Sequence, residues 1–173
     1  MEKLPEPHQH LKDSLLSGSI SAQDFLKSVL DIDQSTIERE NCFENLKLLE
    51  NPEVAAFIQT QSPEDTQKYH RLLSLTTFHI AQNLALSTES PNIEDIVSYI
   101  QQSIQHEDLG TAFPGNQAYH RATLAYFQNN IPDLEKYTAE YARYDDWNIP
   151  ILENMKKGLI ARGGPNYVED YKM

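Results

Sequence analysis

Asn92-Ile93-Glu94-Asp95-Ile96-Val97-Ser98-Tyr99, continued by Ile100 and Ile104, decides the fold class. Its apolar residues recur at spacings of three and four, which puts Ile93, Ile96, Val97, Ile100 and Ile104 on one face of an α-helix. The opening returns as Asn130-Ile131-Pro132-Asp133-Leu134-Glu135-Lys136-Tyr137. Upstream of the two copies stand two equal tripeptides, Tyr69-His70-Arg71 and Tyr119-His120-Arg121. Echoes in the same order predict a degenerate duplication of a helix pair, with 69–106 and 119–145 superposing as two hairpins.

Working outward, proline punctuates the chain. Pro52, Pro63, Pro91, Pro132 and Pro150 stand at or just before the first turn of a helix, where a missing N–H costs nothing. Ser21 with Asp24, and Ser62 with Asp65, have the spacing of a capping box. Gly18, Gly110 and Gly163 fall where helices stop. The marks predict helices over 7–17, 22–31, 35–49, 52–60, 63–87, 92–106, 116–129, 132–145 and 150–162. No segment alternates with period two between hairpin turns. The expected class is therefore all-α, with antiparallel helical hairpins stacked as a bundle or short array. Residues 63–87 carry apolar side chains on two faces, as a central helix covered from both sides does. The length predicts one domain, 1–173, with a capping subdomain over 1–60 and a helical-hairpin subdomain over 61–173.

One stretch carries a family resemblance. Ala118, Ala122 and Ala125 line one face of a helix, a tight turn follows at Asn129-Asn130, and Asp133-Leu134-Glu135-Lys136 opens the next helix. In this, residues 116–145 resemble a tetratricopeptide-type unit, with Asn where such a unit has its turn glycine. The resemblance implies stacked helix pairs and a concave groove for a peptide; it implies no residue-level site.

Composition narrows the function classes. Among 173 residues, 26 are acidic and 14 basic, a net charge of −12. Nucleic-acid binding draws most of its affinity from phosphate neutralisation by a basic face, and here Lys and Arg are scattered. Nucleic acid and anionic membranes are not expected partners; a basic protein is. The single cysteine, Cys42, forms no intrachain disulfide, and no apolar run reaches about 18 residues. The chain reads as a soluble cytoplasmic protein.

Few residues suggest chemistry. The twin triplets bring two His-Arg pairs, His70 with Arg71 and His120 with Arg121, which would bind an anion if the duplicated helices met across a pseudo-twofold. The plainer reading makes each Tyr core, each His boundary and each Arg a surface ion-pair partner. The histidine spacings fit no helical zinc pair, so no metal is expected. His106-Glu107-Asp108 gathers ligand types, but at a helix end it simply offsets the dipole. Cys42 lies among acidic residues that disfavour a thiolate. No nucleophile elbow and no phosphate-binding glycine loop occurs, so no catalytic residue and no cofactor is expected.

The aromatics point to a surface. Ten of sixteen lie from Phe113 onward. Tyr126, Tyr137, Tyr141, Tyr144 and Trp147 are the expected partner-binding residues, because Tyr and Trp pair an apolar body with a polar tip. The loop 107–115 beside them is a candidate lid or recognition loop. The first function expected is a protein- or peptide-binding module, or a homodimer through the same surface. The alternatives are a small all-α enzyme or ligand-binding protein with a pocket near the triplets, and an acidic inhibitor or immunity-type protein blocking a basic enzyme.

Overall fold

The computed structural model of the chain describes residues 4–35, 39–87, 91–110 and 113–171. Every regular element among them is an α-helix. In chain order these are α1 (Glu6–Leu16), α2 (Ala22–Ser35), α3 (Arg39–Leu49), α4 (Pro52–Gln59), α5 (Pro63–Ser87), α6 (Ile93–Leu109), α7 (Pro114–Phe127), α8 (Ile131–Tyr141), α9 (Ile149–Arg162) and α10 (Tyr167–Asp170). None of them is long and apolar enough to cross a membrane.

Local chemistry explains where helices begin. The side chains of Asn51, Asn92 and Asn130 accept hydrogen bonds from the backbone N–H groups of Glu53, Glu94 and Asp133, capping α4, α6 and α8. Ser62 Oγ accepts from Asp65 N at 3.1 Å and donates back to Asp65 Oδ2 at 2.6 Å. Ser21 and Asp24 repeat the arrangement. Both boxes close with Asp in place of Glu. Between α7 and α8 the turn residue Asn129 takes a positive φ of 54°. Asn is among the few side chains that enter this region readily, so it fills a place usually given to glycine.

Several ends differ from the expected ones. Helix α7 starts at Pro114, two residues early, and α8 stops at Tyr141, where expectation carried it to 145. After that stop Asp145 Oδ1 accepts from Trp147 N at 3.0 Å, a local turn that competes with further helix. Helix α6 runs to Leu109, one turn past its expected end. The expected helix 35–49 includes residues 36–38, which lie outside the described residues; the loop 107–115 includes 111–112, which do also.

The buried side chains form two clusters, with α5 between them. On the N-terminal side Leu15, Phe25, Val29, Leu48, Leu49, Val54 and Ile58 pack on Tyr69, Leu72, Leu73 and Ile80 of α5. On the C-terminal side Phe78, Ala81 and Ala85 of α5 meet Ile96 and Ile100 of α6, Ala118, Ala122 and Tyr126 of α7, and Leu152 and Met155 of α9. Helix α5 thus has the two apolar faces expected of 63–87. Contacts of Ser74 with Ser103 and of His70 with His106 show that α5 and α6 run antiparallel.

The chain closes on α10. Tyr167 stacks on Tyr171, one helical turn on, with ring centroids 4.8 Å apart. Asp170 is buried; its carboxylate accepts from Tyr126 Oη at 2.7 Å and from the Arg162 guanidinium. A Cβ at position 158 would overlap the Asp170 carboxylate, so a larger residue there requires Asp170 to shift.

Candidate functional site

Both Tyr-His-Arg triplets lead to the last two turns of α6. His70 of α5 stacks on His106, with the Nδ1 atoms 3.3 Å apart. His120 of α7 reaches Glu107, its Nδ1 lying 3.0 Å from Oε1. Arg121 Nη2 pairs with Asp108 Oδ1 at 2.9 Å. Three consecutive residues, His106-Glu107-Asp108, therefore each take a partner from a triplet. Successive helical residues point about 100° apart, so a helix flanked by α5 and α7 can serve both. Gly110 permits the approach: a Cβ there would lie 3.1 Å from Gln67 O and 3.2 Å from His70 Cβ.

The two histidines do not face each other across a pseudo-twofold; each turns to a different residue of α6. The two tyrosines also differ in surroundings. Tyr69 donates to Leu49 O at 2.8 Å in the N-terminal cluster, whereas Tyr119 packs on Phe78 and Tyr141 in the C-terminal one. By the criterion of shared surroundings, the echo in sequence is not an echo in packing.

Beside these contacts opens a cleft of about 610 Å³ between α2, α5, α6 and α7. Lys27 and Asp24 of α2, Lys68 and Arg71 of α5, and Asn116 and Phe113 at the start of α7 line it, with Glu107 and His120. Asp24 is held by Ser21 and Lys68 by Glu64 at 2.7 Å. Among the described residues, Lys27 and Arg71 have no ion-pair partner. Glu107 is 2% exposed, and among the described residues its Oε2 has no hydrogen-bond partner. A buried carboxylate oxygen without a donor is costly, and a bound group that donates to it relieves the cost.

His120 is oriented firmly. Its ring lies flat against Phe78, centroids 3.7 Å apart, and its Nδ1 is shared by Glu107 Oε1 and Ser103 Oγ, the latter at 2.8 Å. Ser74 Oγ continues the chain at 3.0 Å from Ser103 Oγ. A carboxylate beside Nδ1 selects the tautomer protonated there, which leaves Nε2 as the lone-pair nitrogen of the neutral ring. Among the described residues no hydrogen bond engages Nε2. In a serine triad the hydroxyl sits on one ring nitrogen and the carboxylate on the other. Here both crowd Nδ1, so Ser103 is not an activated nucleophile. The arrangement suits a histidine that accepts or delivers a proton at Nε2, positioned by Glu107.

Of the four residues expected to bind an anion, Arg71 and His120 line the cleft. His70 and Arg121 are turned away, to His106 and Asp108. Burial holds the imidazoles of His70 and His106 below their ordinary value, and the neighbouring His70 ring adds to the effect on His106. Sequence reasoning missed Glu107 as a site residue because it ended the helix at 106. Lys27 and Asn116 carried no signal at all.

The expected tyrosine surface is not there as drawn. Tyr126 is fully buried and Tyr141 nearly so, both in the C-terminal cluster. Neither offers a face to a partner: the Tyr126 ring packs on Phe127 and Tyr167, and the Tyr141 ring on Tyr119, with Asn148 donating to its hydroxyl. Tyr137 is half-buried. Tyr144 and Trp147 are exposed, at 48% and 72%, together with Phe113 at 54%.

Away from the cleft, Asp33, Cys42 and His79 gather donor atoms within 4.8 Å of one another. Burial, with Asp33 beside it, pushes the Cys42 thiol up to about 11, so it is no nucleophile at neutral pH. No protein-family model matches the chain, and neither a curated protein nor a solved structure does.

Proposed function

We propose that this chain is a binding protein for a small anionic molecule, taken in the cleft between α2, α5, α6 and α7. One observation carries the proposal. A buried Glu107–His120 pair sits beside two cations, Lys27 and Arg71, that have no carboxylate partner among the described residues. Arg71 supplies a planar fork for a carboxylate or phosphate, and Lys27 a second positive charge. Glu107 Oε2 asks for a donor, so the ligand carries a hydroxyl or amino group as well as its anionic group. Nε2 of His120 adds the capacity to move a proton on the bound molecule, which opens the way to catalysis.

The test is thermal unfolding of the chain with inorganic phosphate and a set of short hydroxy- and amino-carboxylates. A ligand present at a hundred times its Kd stabilises by about 2.7 kcal/mol. In a domain of this size that raises the melting temperature by roughly 5–10 °C. Arg71→Ala should abolish the rise and Glu107→Gln should reduce it. If no small anion raises the melting temperature, the cleft is not a ligand site.

A second reading keeps the tetratricopeptide-like module that binds a protein or peptide. The exposed aromatics favour it. Phe113 and Tyr144 approach each other at Gly115, where an added Cβ would meet both at 3.2–3.3 Å, and Trp147 follows on the same connection. Exposed rings gathered in one place are typical of interaction sites. Trp147→Ala should then remove a partner that Arg71→Ala leaves bound.

A further inference from the structure

We propose that Asp33, Cys42 and His79 form a binding site for one divalent transition-metal ion of the zinc class. Asp33 lies on α2, Cys42 on α3 and His79 on α5, and their donor oxygen, sulfur and nitrogen lie within 4.8 Å of one another. Carboxylate, thiolate and imidazole together make a ligand set that zinc takes well and that magnesium and calcium do not. Asp33 Oδ2 is 2.7 Å from His79 Nδ1, and Asp33 and Cys42 are fully buried.

What surrounds these three argues for more than a chance meeting. Thr76 Oγ1 donates to Asp33 Oδ1 at 3.3 Å, and Asn83 Nδ2 donates to Cys42 Sγ at 3.7 Å. Outer hydrogen bonds of this kind orient metal ligands and favour their anionic forms. Thr76, His79 and Asn83 are spaced three and four apart, so one face of α5 supplies a ligand and both supporting groups. His79 is the least buried of the three ligands, with 18% of its side chain exposed, and gives an ion its way in. Without a cation, Asp33 opposes formation of a thiolate at Cys42; a cation bound between them turns the carboxylate into a co-ligand. Three protein ligands leave a fourth tetrahedral position for water.

The experiment titrates Co²⁺ alone into the full chain under reducing conditions, followed by absorption. Cys42 is the only cysteine, so a thiolate-to-cobalt charge-transfer band can arise from no other residue. The expected result is a band that saturates at one equivalent and is displaced by Zn²⁺. It should vanish in Cys42→Ala and weaken at least tenfold in affinity in His79→Gln, while exposed His10→Gln leaves it unchanged. No charge-transfer band from the wild-type chain at excess Co²⁺ overturns the proposal. So does full wild-type affinity in His79→Gln, which also serves if Cys42→Ala fails to fold by circular dichroism.

Discussion

The contact between Tyr126 and Asp170 gives a prediction whose size follows from geometry. Tyr126 is fully buried, its hydroxyl donates to Asp170 Oδ2 at 2.7 Å, and Asp170 is itself buried. A hydrogen bond to a buried charged acceptor contributes about 1.5–3 kcal/mol. Burial and that acceptor together hold the Tyr126 hydroxyl well above its ordinary value, so it stays a donor at any working pH. The other partner, Arg162, is about a third exposed, and such ion pairs contribute at most about 1 kcal/mol. Asp170→Ala strands a buried hydroxyl and removes a polar link from α10 to α7, and should cost about 2–4 kcal/mol. Tyr126→Phe leaves Asp170 its guanidinium and should cost about 1–2 kcal/mol. In a double-mutant cycle by urea unfolding, the two changes should couple by at least about 1 kcal/mol. Additivity within about 0.3 kcal/mol would refute the contact.

Three further outcomes are expected. Ile100→Ala removes a fully buried side chain from the stripe on α6 and should cost roughly 2–5 kcal/mol in urea unfolding; a near-neutral result would put the stripe on the surface. Gly158→Ala should destabilise by more than an ordinary surface change, and its cost should shrink in an Asp170→Gly background, where the overlap is gone; an equal cost in both backgrounds contradicts the packing. His70 and His106 are held below 6.5 in the folded chain, so the unfolded chain binds more protons just beneath that value. Stability should be full above about pH 6.5, fall as pH drops through that window, and level off once the folded-state values are passed. His70→Gln should lessen the fall in urea midpoint between pH 7.5 and 5.5, and an unchanged fall would show the pair is not its source.

Much of the secondary structure was legible because its signals are local. The two Ser-Asp boxes and the first-turn prolines act within three or four residues, and they mark true helix starts; the asparagine caps of α4, α6 and α8 are equally local but were not read. The Ile96–Ile100 stripe marks a buried face for the same reason. Helix ends were less legible. The turn of α6 after His106 runs up to Gly110, whose N–H closes on His106 O, and its side chains meet His70, His120 and Arg121. Ending the helix at 106 left Glu107 in a loop and hid its meeting with His120. The tyrosines misled because their periodicity shows a face without saying what covers it. Tyr126 and Tyr141 are covered by α10 and α9, which come later in the chain.

The sequence by itself determined that the chain is helical, roughly where each helix starts, and that α5 has two apolar faces. Period and capping are properties of neighbouring residues, so a string of letters holds them. Only the tertiary structure decided that His70 and His120 turn to successive residues of α6. It alone placed Lys27 in a cleft with Arg71, and brought Asp33, Cys42 and His79 within reach of one ion. These meetings join residues from 9 to 46 positions apart on separate helices. They are fixed by how two buried clusters pack on either side of α5, and no local pattern encodes that packing.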